Sequence, residues 1–181
     1  LLDDCATLTL DNMVSEIGVV CGSGEDEVYL FPDRSCVRRH RIEQPRPFVV
    51  GESIRDWERW SGLQAVWLYD EDLTLCPIEQ MPCTHRLFWF FRSAISHRKR
   101  FGVPMKDKGL TWYEWQELYN TKFDSRNWLI FANIATHNHF ILDCTHTLCN
   151  ATSPIVKLAR DVSEEAQFAL LGYLNSSTAC F

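Results

Sequence analysis

Leu129-Ile-Phe-Ala-Asn-Ile-Ala-Thr-His-Asn-His-Phe-Ile-Leu-Asp143 is an apolar run that carries a short polar insert, Thr136 to His139. Apolar segments of strand length on both sides of a polar break predict two strands, residues 128–136 and 139–143. Ser153-Pro-Ile-Val-Lys-Leu158 follows and supplies a buried strand at 154–158. Farther on, Ser163 is placed to cap a helix, with Glu164 and Glu165 in its first turn, where the helix dipole favours acids. Phe168, Leu171 and Leu174 recur at helical spacing and are assigned to the inner face of that helix. Strands and helices therefore mix along the chain in an α+β order.

Upstream, residues 17–21 and 27–31 read as two strands joined by a turn at Gly22-Ser-Gly24. Asp33 can cap a short helix over 33–40. Pro45 and Pro47 lead into a strand near 47–50, and Gln64-Ala-Val-Trp-Leu-Tyr69 is another. Residues 84–100 read as one helix, with Leu87, Phe88, Phe91 and Ile95 as its apolar stripe. Gly102 and Pro104 stop it. Thr111 can cap a further helix through Tyr119, with Trp112 and Trp115 on one face. The expectation is one α+β domain over 1–181, a mixed or antiparallel sheet flanked by helices.

The 181 residues carry eight cysteines, at a density below that of disulfide scaffolds, and no secretory signal is visible. Free thiols and a cytoplasmic location are expected. No apolar run approaches the ~18 residues of a membrane span. Neither end reads as a natural terminus, so the chain is expected to be a fragment of a longer protein.

The net charge of −6 argues at first against nucleic acid. Its distribution does not: residues 1–80 carry −9, residues 81–108 carry +6 and residues 109–181 carry −3. A concentrated basic segment on an acidic body suits one DNA-facing surface. A solvated basic helix end fits the same numbers, and both readings stay open. The candidate phosphate ligands are Arg86, Arg92, Arg98, Lys99, Arg100, Lys106 and Lys108, with Arg55 added if Asp56 does not neutralise it.

Three motifs invite chemistry. Cys21-Gly-Ser-Gly24 looks like a methyltransferase glycine loop, but such a loop should open a helix of small residues, and Glu25-Asp-Glu27 follows instead. The Asn/Asp-Pro-Pro-aromatic motif is missing. His137, His139, Cys144, His146 and Cys149 include zinc-ligand types but match no common zinc module. Thr136, His137, Asn138 and His139 are either a strand-end bend that satisfies backbone groups or part of a DNA surface, since Asn pairs with adenine and His donates to guanine or phosphate. No catalytic, cofactor-binding or metal-binding residue is assigned.

The segments just quoted resemble the target-recognition domain of type IIG restriction-modification enzymes, and more closely that of PglX-type adenine methyltransferases of BREX phage-defence systems. The Thr136-His-Asn-His-Phe140 and Leu174-Asn-Ser-Ser-Thr-Ala-Cys-Phe181 segments carry the resemblance. So do residues 17–31, residues 46–57 and Gly109-Leu-Thr-Trp-Tyr-Glu-Trp115. The resemblance implies sequence-specific recognition of double-stranded DNA for an adenine-N6 methyltransferase. It also implies S-adenosylmethionine in the parent enzyme, a missing methyltransferase domain as partner, and other proteins of the defence system. The rival expectation is a non-catalytic protein-interaction or regulatory module, which the acidic balance and the abundant tryptophan suit.

Overall fold

The computed structural model describes residues 10–55, 57–124, 127–145 and 147–180. Its centre is a four-stranded antiparallel sheet in the order Val14–Gly18, Ile155–Leu158, Trp128–Phe131, Phe140–Asp143. The last two strands form the expected hairpin around the polar insert, with Phe131 opposite Phe140 and Trp128 opposite Asp143.

Strand alternation explains why this stretch reads as nearly unbroken apolar sequence. Trp128, Ile130, Ile141 and Ile155 point into the main core, while Leu129, Val156 and Leu158 point into a second cluster on the opposite face. A sheet buried on both faces needs apolar side chains at successive positions. The second face is covered by the terminal helix Glu164–Leu174, which contributes Leu170 and Leu171. Each such leucine contributes roughly 1.5–3 kcal/mol when fully buried. Ser163 caps this helix by accepting from the Ala166 N–H. Phe168, expected inside, is instead exposed, and Gln167 and Leu170 take its place. The buried face is rotated by about one residue from the one expected.

A second, mixed sheet runs in the order Leu148–Cys149, Pro45–Val49, Gln64–Val66, Leu30–Phe31. Its first pair is parallel and the others antiparallel. Asp33 caps the helix Arg34–His40 as expected, accepting from the Ser35 and Cys36 amides. Gly51 sits where any side chain would strike the Thr152 carbonyl, a close approach that only glycine permits.

Five local expectations fail. Residues 17–21 divide between the strands Val14–Gly18 and Cys21–Gly22, and the strand expected over 128–136 is confined to Trp128–Phe131. Residues 27–31 are a strand only at Leu30–Phe31, because Asp26–Tyr29 closes one helical turn. Residues 84–100 are not one helix: Pro82–Phe90 ends at Phe91, Arg92–Ser96 forms a second short helix, and Lys99–Arg100 pairs with Val103–Pro104 as a hairpin. Residues 111–119 contain no helix. Tyr113, Glu114 and Trp115 are buried in succession, and tertiary bonds hold this segment open. Trp115 donates its indole N–H to the Val66 carbonyl at 3.0 Å and its amide to the Tyr69 hydroxyl at 3.1 Å.

Among the described residues, no helix is long and apolar enough to cross a membrane. Cys21, Cys36, Cys76, Cys83, Cys144 and Cys149 are unbridged thiols; burial pushes those of Cys21 and Cys149 well above the usual thiol range.

Candidate nucleic-acid interface

The basic segment 81–108 splits into an inner and an outer set. Arg98, counted with the surface cations in sequence, is only 4% exposed. Its guanidinium donates to the carbonyls of Ile95 at 2.8 Å, Trp112 at 3.1 Å and Glu114 at 2.8 Å, and to that of Ser23. It also lies 5.0 Å from the Tyr29 ring centroid. This arginine gathers three separate chain segments, with four of its five N–H donors committed and the group buried away from any phosphate. Arg100 is partly committed as well, bonded to Glu117 at 2.6 Å and to the Tyr119 hydroxyl at 3.1 Å.

The outer set is Arg86, Arg92, Lys99, Lys106 and Lys108, all exposed. Arg92 lies over Trp89 at 4.6 Å and Trp112 at 5.5 Å, which orients its guanidinium outward from an aromatic bed. Trp89, Phe90 and Phe91 are exposed beside it. Lys106 and Lys108 project from the short 3₁₀ turn Met105–Lys108, anchored by buried Met105.

A second basic element escaped the sequence reading. The helix Arg34–His40 and its left-handed cap Arg41 present Arg34, Arg38, Arg39 and Arg41 to solvent. This helix packs beside Pro82–Phe90, the helix that carries Arg86. Glu43, two residues past the cap, links the two. Its carboxylate accepts from the Cys83 amide at 2.6 Å, the Thr84 amide at 3.0 Å and the Thr84 hydroxyl at 2.6 Å, capping the second helix from outside. Burial raises the Glu43 pKa, but these bonds outweigh it and hold the carboxyl below its usual range. Four arginines within eight residues were the available signal, masked because residues 1–80 are strongly acidic as a block.

The other candidates divide similarly. Arg55 is half-buried and donates to the carbonyls of Gly51 and Ile54 within its own turn; Asp56 lies outside the described residues. Thr136 and His137 are exposed at the hairpin end. Asn138 turns inward and donates to the Leu174 carbonyl at 3.0 Å and the Ala179 carbonyl at 3.3 Å. His139 is half-buried, and its carbonyl accepts from the Ala132 amide. Asn175 completes this clamp: its side-chain amide accepts from the Phe140 N–H at 2.8 Å and donates to the Phe140 carbonyl at 2.9 Å. It thus satisfies the outer edge of the sheet in place of another strand.

The glycine turn is filled from within. Buried Ser23 donates to Asp26 and yields its carbonyl to Arg98, and a Cβ on Gly24, where φ is +73°, would meet the Gln116 side chain. Among the described residues, no three His, Cys, Asp or Glu side chains come together as a metal site; His146 is not among them. Buried Asp143 is occupied by Arg59, Thr145 and Thr147.

The same α+β fold occurs among solved structures. The structure of the type IIL restriction-modification enzyme MmeI in complex with DNA superposes with a TM-score of 0.61 over 86% of this chain and 20% of that one, at 13% identity. In sequence, the chain is 36% identical over 149 residues, 80% of its length, to the adenine-specific methyltransferase PglX of Streptomyces coelicolor. It is homologous to a segment of that protein and spans 12% of its length. No protein-family model matches the sequence.

Proposed function

We propose that this chain is the DNA target-recognition part of an S-adenosylmethionine-dependent adenine-N6 methyltransferase acting in bacterial phage defence. The carrying observation is the 36% identity to a segment of an adenine-specific methyltransferase. Three further features support the reading. The cofactor-type glycine turn is packed shut, so methyl transfer belongs to another part of the enzyme. The basic helix Arg34–His40 and Arg86 on the neighbouring helix Pro82–Phe90 offer a surface for the sugar-phosphate backbone. The hairpin end with Thr136 and His137 offers exposed polar groups on a rigid sheet. An enzyme of this kind extracts the target adenine from the helix while a separate surface holds the duplex and reads its base edges. Cytoplasmic action and partnership with other proteins of a BREX-type system follow from the same reading.

The test is an exchange. Two related methyltransferases with different target sequences are given each other's version of this segment, and the methylated motifs are read by sequencing. The motif should travel with the segment. Methylation that continues at the host enzyme's own motif refutes a recognition role. A second reading, a protein-docking module, is favoured by the exposed Trp89, Phe90 and Phe91. It is separated from the first by salt: phosphate contacts make affinity fall steeply with ionic strength.

A further inference from the structure

Phe101 occupies an unusual position. Lys99–Arg100 and Val103–Pro104 pair in register, leaving Phe101 and Gly102 as a two-residue turn. Both have positive φ, +50° for Phe101 and +80° for Gly102, the pattern of a type I′ hairpin. That turn favours Asn or Gly at its first central position, and a phenylalanine there is strained. The strain brings no packing in return, since the ring is 90% exposed. Its one neighbour of note is the Arg100 guanidinium, 5.1 Å from the ring centroid. The hairpin stands on a firm base. Below it, Arg98 is locked to four carbonyls and Arg100 is bonded to Glu117 and Tyr119. Lys99 on the hairpin, and Lys106 and Lys108 on the 3₁₀ turn that packs against Val103–Pro104, are exposed cations of the same segment.

We infer that Phe101 is a wedge that inserts between base pairs of duplex DNA, delivered by this basic hairpin. The inference rests on the DNA-recognition reading above and adds to it a specific residue and a specific act. Proteins that kink DNA insert apolar side chains, phenylalanine among them, between base steps while nearby cations hold the phosphates. An exposed aromatic tip on a rigid arm among lysines fits that chemistry. A protein-docking anchor would not need so many exposed cations in its own segment, and a turn selected for stability alone would carry Asn or Gly at position 101.

The strain supplies a clean test, because glycine suits φ +50° better than phenylalanine does. In the proposed parent methyltransferase, Phe101→Gly should keep or raise the melting temperature. Its affinity for a duplex bearing the methylation site should nevertheless fall by roughly ten- to hundredfold, the range for losing one aromatic–base stack. The salt slope should not change, since no phosphate contact is lost. Phe101→Leu should retain most of the affinity. With 2-aminopurine scanned through the duplex, one position should brighten with the native protein and Leu variant and stay quenched with Phe101→Gly. Unchanged affinity of Phe101→Gly beside a clear loss in Lys99→Ala refutes the wedge alone. Duplex binding that ignores salt and every surface cation refutes the DNA reading itself. Undiminished DNA binding by Phe101→Gly with loss of a partner protein would make Phe101 a docking anchor and overturn the wedge.

Discussion

Replacing Arg98 with methionine should destabilise the fold by roughly 3–5 kcal/mol, near the low end of the cost of leaving four carbonyl acceptors unpaired. The guanidinium satisfies carbonyls of Ser23, Ile95, Trp112 and Glu114, which belong to the glycine turn, the helix Arg92–Ser96 and the segment before Glu117–Leu118. A buried acceptor left unpaired costs about 1–3 kcal/mol, so four would give an upper bound of about 4–12 before water entry and relaxation reduce it. In a domain of this size 1 kcal/mol shifts the melting temperature by about 2–4 °C, which places the drop near 6–20 °C. Arg98→Lys should fall between, because one ammonium cannot reach four carbonyls spread around a planar fork. The assay is thermal and urea denaturation followed by circular dichroism. Lys99→Ala, whose side chain is exposed, serves as the control and should leave stability within about 0.5 kcal/mol. A melting temperature that falls by less than about 3 °C in Arg98→Met, with the fold retained, would refute the role given to this arginine. Any loss of DNA affinity in an Arg98 variant is then a loss of structure, and the surface test must leave Arg98 intact.

Replacing Glu43 with glutamine should weaken the external cap on Pro82–Phe90 by about 0.5–2 kcal/mol at neutral pH. The native carboxyl is held below its usual range, so its contribution is present above the unfolded pKa and is lost as pH falls through the folded one. The gap between native and Glu43→Gln melting temperatures should therefore close with acid, and a gap independent of pH would count against the cap. Asn175→Ala should lower stability by about 1–3 kcal/mol, because the buried-edge partners at Phe140 lose both bonds, with faster amide exchange at Phe140 as the local readout. Replacing Arg38, Arg39 and Arg86 together by alanine should flatten the slope of log affinity against log salt by roughly 1–3 units in duplex titrations. No change in slope would remove these arginines from the proposed interface.

Legibility in the sequence followed how local the determinants are. The central hairpin, the strand Ile155–Leu158 and the caps at Asp33 and Ser163 were readable because strand alternation and side-chain capping act within a few residues. Residues 111–119 misled because Trp112 and Trp115 have helical spacing, whereas their backbone is held open by bonds to Val66, Tyr69 and Arg98 that no local pattern announces. The break at Phe91 and the hairpin at Phe101 were hidden for the same reason, since a positively charged run followed by Gly102 also ends helices. Among the candidate site residues, charge marked a cationic segment but not which of its side chains are exposed. Arg98 counted as outside because sequence shows a cation but not its acceptors, and the arginines of the Arg34–His40 helix were averaged away by acids around them.

The clamp at the hairpin end has a consequence for how such a domain diversifies. Asn138 and Asn175 fasten the returning strand to the end of the terminal helix, and Asn133 bonds the outgoing side to the Ala151–Thr152 turn, while residues 134–137 lie exposed beyond these fastenings. The frame is thereby insulated from its tip. Substitutions, insertions and deletions between Asn133 and Asn138 should change what the tip displays without loosening the sheet, so under the proposed function new binding preferences could arise by drift in four residues while the fold stays under separate selection.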